Sequence, residues 1–215
     1  TTEWIGVPVR ALLAEAGVTD DAVDVITHAR DGYTEAIPWS VIREREDIVL
    51  AIGMDGETLP AEHGFPARLL VPGRYGMKST KWVTEIELAP DDHTAYWDQR
   101  GWDEEAIVNT LSYVRAIQRR GDRVGVGGVA YAGTRGIDRV EVSVDGGETW
   151  TDATLEDTVS PRAWRRWQLV VDRPDSGPLE AIVRATDGEG ARQTSDSAPP
   201  HPSGSTGWHS ISVSL

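Results

Sequence analysis

The pattern of apolar and polar positions changes character near the middle of the 215-residue chain. In the first half, Pro8 opens a segment in which Leu12, Leu13 and Ala16 form an apolar stripe, and Gly17 stands where a helix would stop. An Asp-rich turn over residues 19–21 follows. Val23, Val25 and Ile26 then predict a strand leading to the turn Asp31-Gly32-Tyr33. Pro38 starts a second short helix through Ile42. Residues 48–52 are almost continuously apolar and predict a buried strand, followed by the hairpin signal Met54-Asp55-Gly56. Leu69-Leu70-Val71 predicts another buried strand, stopped by Pro72-Gly73. Residues 82–88 alternate apolar and polar, as a half-buried strand does.

The second half reads as β throughout. Val140, Val142 and Val144 alternate with polar residues before Asp145-Gly146-Gly147 turns the chain. Gln168-Leu169-Val170-Val171 and Ile182-Val183 are further strands, and Asp187-Gly188-Glu189-Gly190 is a second tight turn. Ile211, Val213 and Leu215 alternate with serines. Short strands at this spacing predict an antiparallel sandwich. The expected fold class is therefore α+β: a mixed α/β domain over residues 1–115 and an all-β sandwich over 116–215. The boundary is expected between Thr110 and Val124, where Arg115, Arg119, Arg120 and Arg123 cluster.

Composition narrows the possibilities. Hydrophobic content of 39% and charged content of 26% describe a globular domain. No apolar run approaches the roughly 20 residues that span a bilayer, so no membrane contact is expected from this segment. Residues 1–10 read as folded-domain sequence rather than a signal peptide, and the abrupt start suggests the C-terminal piece of a longer protein. The net charge of −14 argues against general nucleic-acid binding. A dense carboxylate surface of this kind suits halophilic proteins. The chain has no Cys, so it contains no disulfide, thiolate metal site or cysteine nucleophile.

Against this acidic background, residues 63–84 hold no Asp or Glu but carry Arg68, Arg74, Lys78 and Lys81, including both lysines of the chain. A positive island in a negative chain suits a phosphate or similar multi-oxygen anion.

The ordered motifs Trp4, Gly6-Val7-Pro8, Asp31-Gly32-Tyr33, Met54-Asp55-Gly56-Glu57, Leu59-Pro60, His63-Gly64, Pro66, Arg68, Pro72-Gly73, Tyr75-Gly76, Lys78 and Lys81-Trp82 resemble the sulfite oxidase family of molybdenum-cofactor enzymes. Ser143-Val144-Asp145-Gly146-Gly147, Thr149-Trp150, Trp164-Arg165, Trp167 and Gly207-Trp208-His209 resemble that family's dimerisation domain, an immunoglobulin-like sandwich. The resemblance implies a molybdenum–molybdopterin cofactor in the parent protein. It implies that His63, Arg68 and Lys81 bind this cofactor, with Lys78 as a neighbour and backbone N–H groups around Gly76 and Ser79 adding a nest. Charge-assisted hydrogen bonds of this kind contribute about 1.5–3 kcal/mol each. Arg68 grips two oxygens at once, while Lys81 acts as a point charge. The resemblance also implies a homodimer through residues 116–215, an external electron carrier and, in many prokaryotic relatives, an extracytoplasmic location.

Other positions carry less. Asp31 aligns approximately with a carboxylate near the family's active site, although an Asp-Gly turn also explains it. Arg74 is expected to be a solvated charge. Trp164 and Trp167 are expected to pack the sandwich with Arg165 and Arg166 outward. His28, His93 and His201 show no metal-ligand spacing and are expected at the surface, so no metal ligand is assigned within the chain.

Two departures from the family matter. The family's molybdenum-binding Cys lies upstream of the Trp4 element, so this chain supplies no thiolate and is expected to be inactive alone. In the stretch Tyr96-Trp97-Asp98-Gln99-Arg100-Gly101-Trp102, Trp102 occupies the place of a substrate-pocket Tyr, and an indole cannot serve as a phenol in proton transfer. Ser210 stands where the animal enzymes have Arg. The expected activity of the parent protein is oxygen-atom transfer on a small oxyanion or related substrate. The alternative is a non-catalytic dimerisation or binding module that keeps the fold without the metal.

Overall fold

A computed structural model describes residues 1–19, 21–173 and 177–214. Asp20 of the expected Asp-rich turn and Leu215 of the expected last strand lie outside the described residues. The chain forms two compact units, Thr1–Ile107 and Val108–Leu215. The division falls ahead of the Arg-rich stretch around residues 115–123, because that stretch belongs to two paired strands of the second unit.

The first unit contains β1 (Trp4–Pro8), α1 (Val9–Ala16), β2 (Asp24–Ala29), β3 (Thr34–Pro38), α2 (Trp39–Arg43), β4 (Val49–Met54), β5 (Glu57–Thr58), β6 (Arg68–Leu70) and β7 (Val83–Ala89). Its described helices are short, and strands dominate, so the expected mixture of helix and strand is weighted toward β. The reason lies in local sequence. Pro8 and Pro38 each end a strand and pre-set the backbone for one helical segment. Gly17, in the left-handed region, closes the first within eight residues.

One antiparallel sheet has the order β1-β4-β5, with β6 also paired to β4. The other has the order β3-β2-β7. Between them lies a core of Val9 and Leu13 from α1, Trp39 and Ile42 from α2, and Val25, Ile37, Ile48, Leu69 and Val71. Ala16, expected on the apolar stripe, is exposed, and Val9, two turns earlier, is buried instead. The run 48–52 is buried only in part. Ile48 and Ala51 are inaccessible, but Ile52 is half exposed because successive strand residues face opposite sides. Asp55-Gly56 forms the expected tight hairpin turn, with positive φ at both positions.

The second unit contains β8 (Leu111–Arg120), β9 (Arg123–Tyr131), β10 (Ile137–Ser143), β11 (Thr151–Asp152), β12 (Thr154–Leu155), β13 (Arg165–Asp172), β14 (Leu179–Asp187) and β15 (His209–Val213). Two four-stranded antiparallel sheets, β11-β10-β14-β15 and β12-β13-β9-β8, enclose one core. Val114, Val124, Val126 and Trp167 face it from one sheet, and Val140, Val142, Ala181 and Val183 from the other. Gly128 permits this packing. A Cβ there would lie 1.9 Å from Tyr113 O and 2.6 Å from a ring carbon of Trp167. Trp164 departs from expectation: it is 42% exposed and stacks on Tyr131 at 5.1 Å.

The motif Ser143–Trp150 proves to be a polar turn. Asp145 accepts hydrogen bonds from the Thr149 backbone and from the hydroxyls of Ser143 and Thr149. These donors hold its carboxyl well below the usual range. Trp150 donates to Gly147 O at 3.1 Å and meets Trp208 edge to face at 4.9 Å. Arg184, paired with Glu141, lies 3.9 Å from the Trp150 ring. Ser210 sits in β15 opposite Ile182.

Candidate functional site

The segment joining β5 to β7 is irregular because two glycines and three prolines interrupt it before residue 74. After the 3-10 turn Ala61–His63, Gly64 takes φ +112°, which a residue with a side chain rarely adopts. The turn back brings separated residues together. A Cβ on Gly64 would stand 3.0 Å from Arg68 Cβ and 3.1 Å from Lys81 Cβ. Leu69 N donates to Thr80 O, Trp82 N to Gly64 O and Val83 N to Ala67 O, which fixes the three segments side by side. His63, Arg68 and Lys81 are thus neighbours through a backbone that only glycine permits.

Arg68 is half-buried. Its guanidinium donates to His63 O at 3.1 Å and Ser79 O at 3.5 Å, and lies 5.1 Å from the Trp4 ring. Its Nε is buried without a partner, and burial pushes its pKa down. A buried guanidinium N–H left unpaired is a costly arrangement, which an acceptor from a bound anion would relieve. Lys81 donates to Glu62 O at 3.1 Å and lies 4.7 Å from the Trp82 ring. His63 is exposed, and its carbonyl serves Arg68.

Lys81 also lines a cleft of about 210 Å³, together with Asp31, Tyr33, Met77, Trp82 and Trp97; Ala29 and Gly76 complete it. Asp31 lines the cleft, and its Oδ1 accepts from Tyr33 N at 3.1 Å. Trp102 does not line it. It meets Trp97, which does, edge to face at 6.0 Å.

Two expected contributors behave differently. The Ser79 N–H donates to Gly76 O inside the 3-10 turn Gly76–Lys78, and Ser79 Oγ accepts from Val71 N, so this backbone N–H is already used. Gly76 is exposed and has open space where a Cβ would stand. Lys78 faces neither solvent nor cleft. It is 1% exposed, and its Nζ lies 2.6 Å from Glu35 Oε1 and 3.3 Å from Asp98 Oδ1. Arg74, expected to be solvated, is instead half-buried and donates to Glu105 O, and burial lowers its pKa.

Beneath the cleft lies a buried polar cluster that sequence reasoning missed. Tyr33 Oη lies 2.7 Å from Glu35 Oε2 and 2.6 Å from Met77 O. Glu35 is inaccessible, and burial pushes its pKa up against the opposing influence of Lys78 and Tyr33. Burial and the Glu35 carboxyl likewise push the Tyr33 phenol up, keeping it protonated. Thr27 and Thr80 hydroxyls meet at 2.7 Å. This cluster holds the loop that presents Met77 and Lys81 to the cleft. Among the described residues, no group of three or more His, Asp or Glu suits a metal ion.

Comparison with known proteins agrees with both units. Residues 1–97 match the model of the oxidoreductase molybdopterin binding domain, and residues 101–199 that of the Mo-co oxidoreductase dimerisation domain. The chain is 31% identical to mitochondrial sulfite oxidase of Mus musculus, over 87% of this chain and 41% of that protein. It is 31% identical to sulfite oxidase of Gallus gallus, over 93% and 51% respectively. A nitrate reductase [NADH] 2 of Phaseolus vulgaris is 32% identical over 87% of this chain and 27% of its own length. The solved structure of the sulfane dehydrogenase SoxCD from Paracoccus pantotrophus superposes with a TM-score of 0.77 at 28% identity, covering 90% of this chain and 54% of that one. The chain therefore spans about half or less of the length of these relatives.

Proposed function

The chain belongs to the sulfite oxidase family of molybdopterin oxidoreductases, and on that premise we propose that it is the cofactor-gripping and subunit-pairing part of such an enzyme. The observation that carries this reading is the meeting of His63, Arg68 and Lys81 around Gly64, with Arg68 Nε buried and unpaired. An anionic group on the cofactor would take the free donors of Arg68 and Lys81 and a ring N–H of His63. When bound, the cofactor supplies oxygen-atom transfer and two-electron redox chemistry. The chain's own residues bind it, orient it and limit water around it.

The cleft beside Lys81 suits a small oxyanion or related substrate. Lys81 offers positive charge, while Trp82 and Trp97 offer apolar walls and indole donors. Asp31 at the rim disfavours a second negative charge and so shapes which substrate enters. Trp102, packed on the cleft residue Trp97, stands where the family resemblance implies a phenol, which supports a substrate preference different from that of the animal enzymes.

The second unit would pair two subunits as an immunoglobulin-like sandwich, and electrons would leave through an external carrier. With no Cys, the 215-residue chain alone is expected to show no turnover. The test is molybdenum and pterin content of the full-length protein from a cofactor-competent host, with Arg68→Ala and Lys81→Ala beside the wild type. Both cofactor components should be present in the wild type and reduced in each variant. Absence from the wild type would favour the second reading, a metal-free assembly module.

A further inference from the structure

We infer that Glu35 is held as the neutral carboxylic acid and that, through Tyr33, it positions the Met77 carbonyl in the wall of the cleft. The argument is a count of hydrogens. Tyr33 Oη lies within hydrogen-bond distance of two oxygens, Glu35 Oε2 at 2.7 Å and Met77 O at 2.6 Å. The phenol has one hydrogen and cannot donate to both. Met77 O is a carbonyl and has none to give. Only Glu35 can bring the second hydrogen. The pattern closes when Glu35 Oε2–H donates to Tyr33 Oη and Tyr33 donates to Met77 O.

The other oxygen of Glu35 fits this assignment. Oε1 accepts from Lys78 Nζ at 2.6 Å and from Ala36 N at 3.1 Å, as the carbonyl oxygen of an acid does. Charge balance agrees. One buried ammonium, Lys78, faces two buried carboxyls, Glu35 and Asp98, and only one need be ionised to neutralise it. Asp98 is the better anion, since both of its oxygens accept from nitrogen donors, Oδ1 from Lys78 at 3.3 Å and Oδ2 from Ala95 N at 3.1 Å, whereas Glu35 Oε2 meets only the Tyr33 hydroxyl. Other charged groups acting on the cluster are Asp31, near Tyr33, and Arg74, which feels Glu35.

The consequence reaches the cleft, because Tyr33 and Met77 both line it. Should Glu35 lose its proton, Tyr33 turns its hydrogen to the new carboxylate. Met77 O then loses its donor, with two acceptor oxygens left 2.6 Å apart. Glu35 is a positioning residue acting through Tyr33. Its protonation state stands on geometry alone, whereas its importance for the site rests on the reading of the cleft proposed above.

The experiment is a pH titration of the chain labelled with [δ-13C]glutamate and 13C-carbonyl methionine, followed by NMR. At neutral pH one glutamate carboxyl should resonate in the protonated position and vanish in Glu35→Gln. The Met77 carbonyl should shift with the same midpoint as Glu35, and Tyr33→Phe should abolish that coupled shift. In parallel, at neutral pH Glu35→Gln should keep or raise the melting temperature of the wild type, because the amide reproduces every hydrogen bond and has no proton to retain against the solvent. Asp98→Asn should lower it by more than about 10 °C, because Lys78 loses its counter-ion. The inference is overturned if all glutamates are ionised at neutral pH, or if Glu35→Gln destabilises as much as Asp98→Asn. The NMR reading of the unaltered chain decides even if a variant fails to fold. Cofactor content in the Arg68 and Lys81 variants tests the functional reading separately.

Discussion

Gly64 packs directly against Lys81: a Cβ on this glycine would lie 3.1 Å from Lys81 Cβ and 3.2 Å from its Cα. The glycine also sits at φ +112°. Two independent constraints therefore act at one position, one on space and one on backbone conformation. Gly64→Ala is expected to destabilise the first unit by about 1–3 kcal/mol, from the strained φ alone or together with the contact. Denaturant unfolding measures the stability, and cofactor content of the full-length variant should fall as well, since Lys81 and Arg68 are both displaced.

The two lysines should separate in experiment. Lys78→Ala strips a buried carboxylate of its partner and is expected to cost about 3–5 kcal/mol. Lys81→Ala removes one donor to a backbone carbonyl and a contact with Trp82, and is expected to cost about 1 kcal/mol or less. Cofactor content should follow the opposite priority in folded protein: Lys81→Ala loses it directly. Equal unfolding midpoints for the two variants would contradict the buried ion pair.

Trp167 and Trp164 make a similar contrast in the second unit. Trp167 is 2% exposed beneath Gly128, and Trp167→Ala is expected to cost about 3–5 kcal/mol. Trp164 lies against Tyr131 at the surface, and Trp164→Ala should cost about 1 kcal/mol. Thermal unfolding of both variants checks the order.

Much of this architecture was legible in the sequence because turns announce themselves. Asp31-Gly32, Asp55-Gly56 and Asp187–Gly190 all stand where the chain reverses, and period-two alternation marked the strands of the second unit. Strand β8 is not legible as one element, since its arginines mask the alternation and read equally well as a boundary. At the site, the motif brought Arg68, His63 and Lys81 to notice, and the structure makes them neighbours. The charge island misled over Lys78. No carboxylate lies near it in sequence, but Glu35 and Asp98 reach it from 43 and 20 residues away. Pairing across such distances is set by tertiary packing, and local composition carries no record of it. Glu35 itself gave no signal, because one acid in a strand reads equally well as an exposed position.

The pH dependence of stability should carry opposite signs in the two units. Glu35 binds its proton more tightly in the fold than its ordinary value of 4.5 allows, chiefly because burial disfavours the anion. Its contribution to stability is complete below 4.5 and is lost as pH rises through the raised folded value. Asp145 is shifted the other way by its hydroxyl and backbone donors, from an ordinary value of 3.8. Its contribution is present above 3.8 and is lost as pH falls through the lowered folded value. Comparison of each variant with the wild type isolates these effects from the rest of the charge. The advantage of wild type over Asp145→Asn should shrink as pH drops below 3.8. The stability of wild type relative to Glu35→Gln should decline as pH climbs from 4.5, since the amide cannot ionise. Melting temperatures across this range, recorded for all three proteins in one buffer series, check both slopes. A Glu35→Gln difference that stayed level over the whole range would mean that Glu35 ionises alike in the folded and unfolded chain.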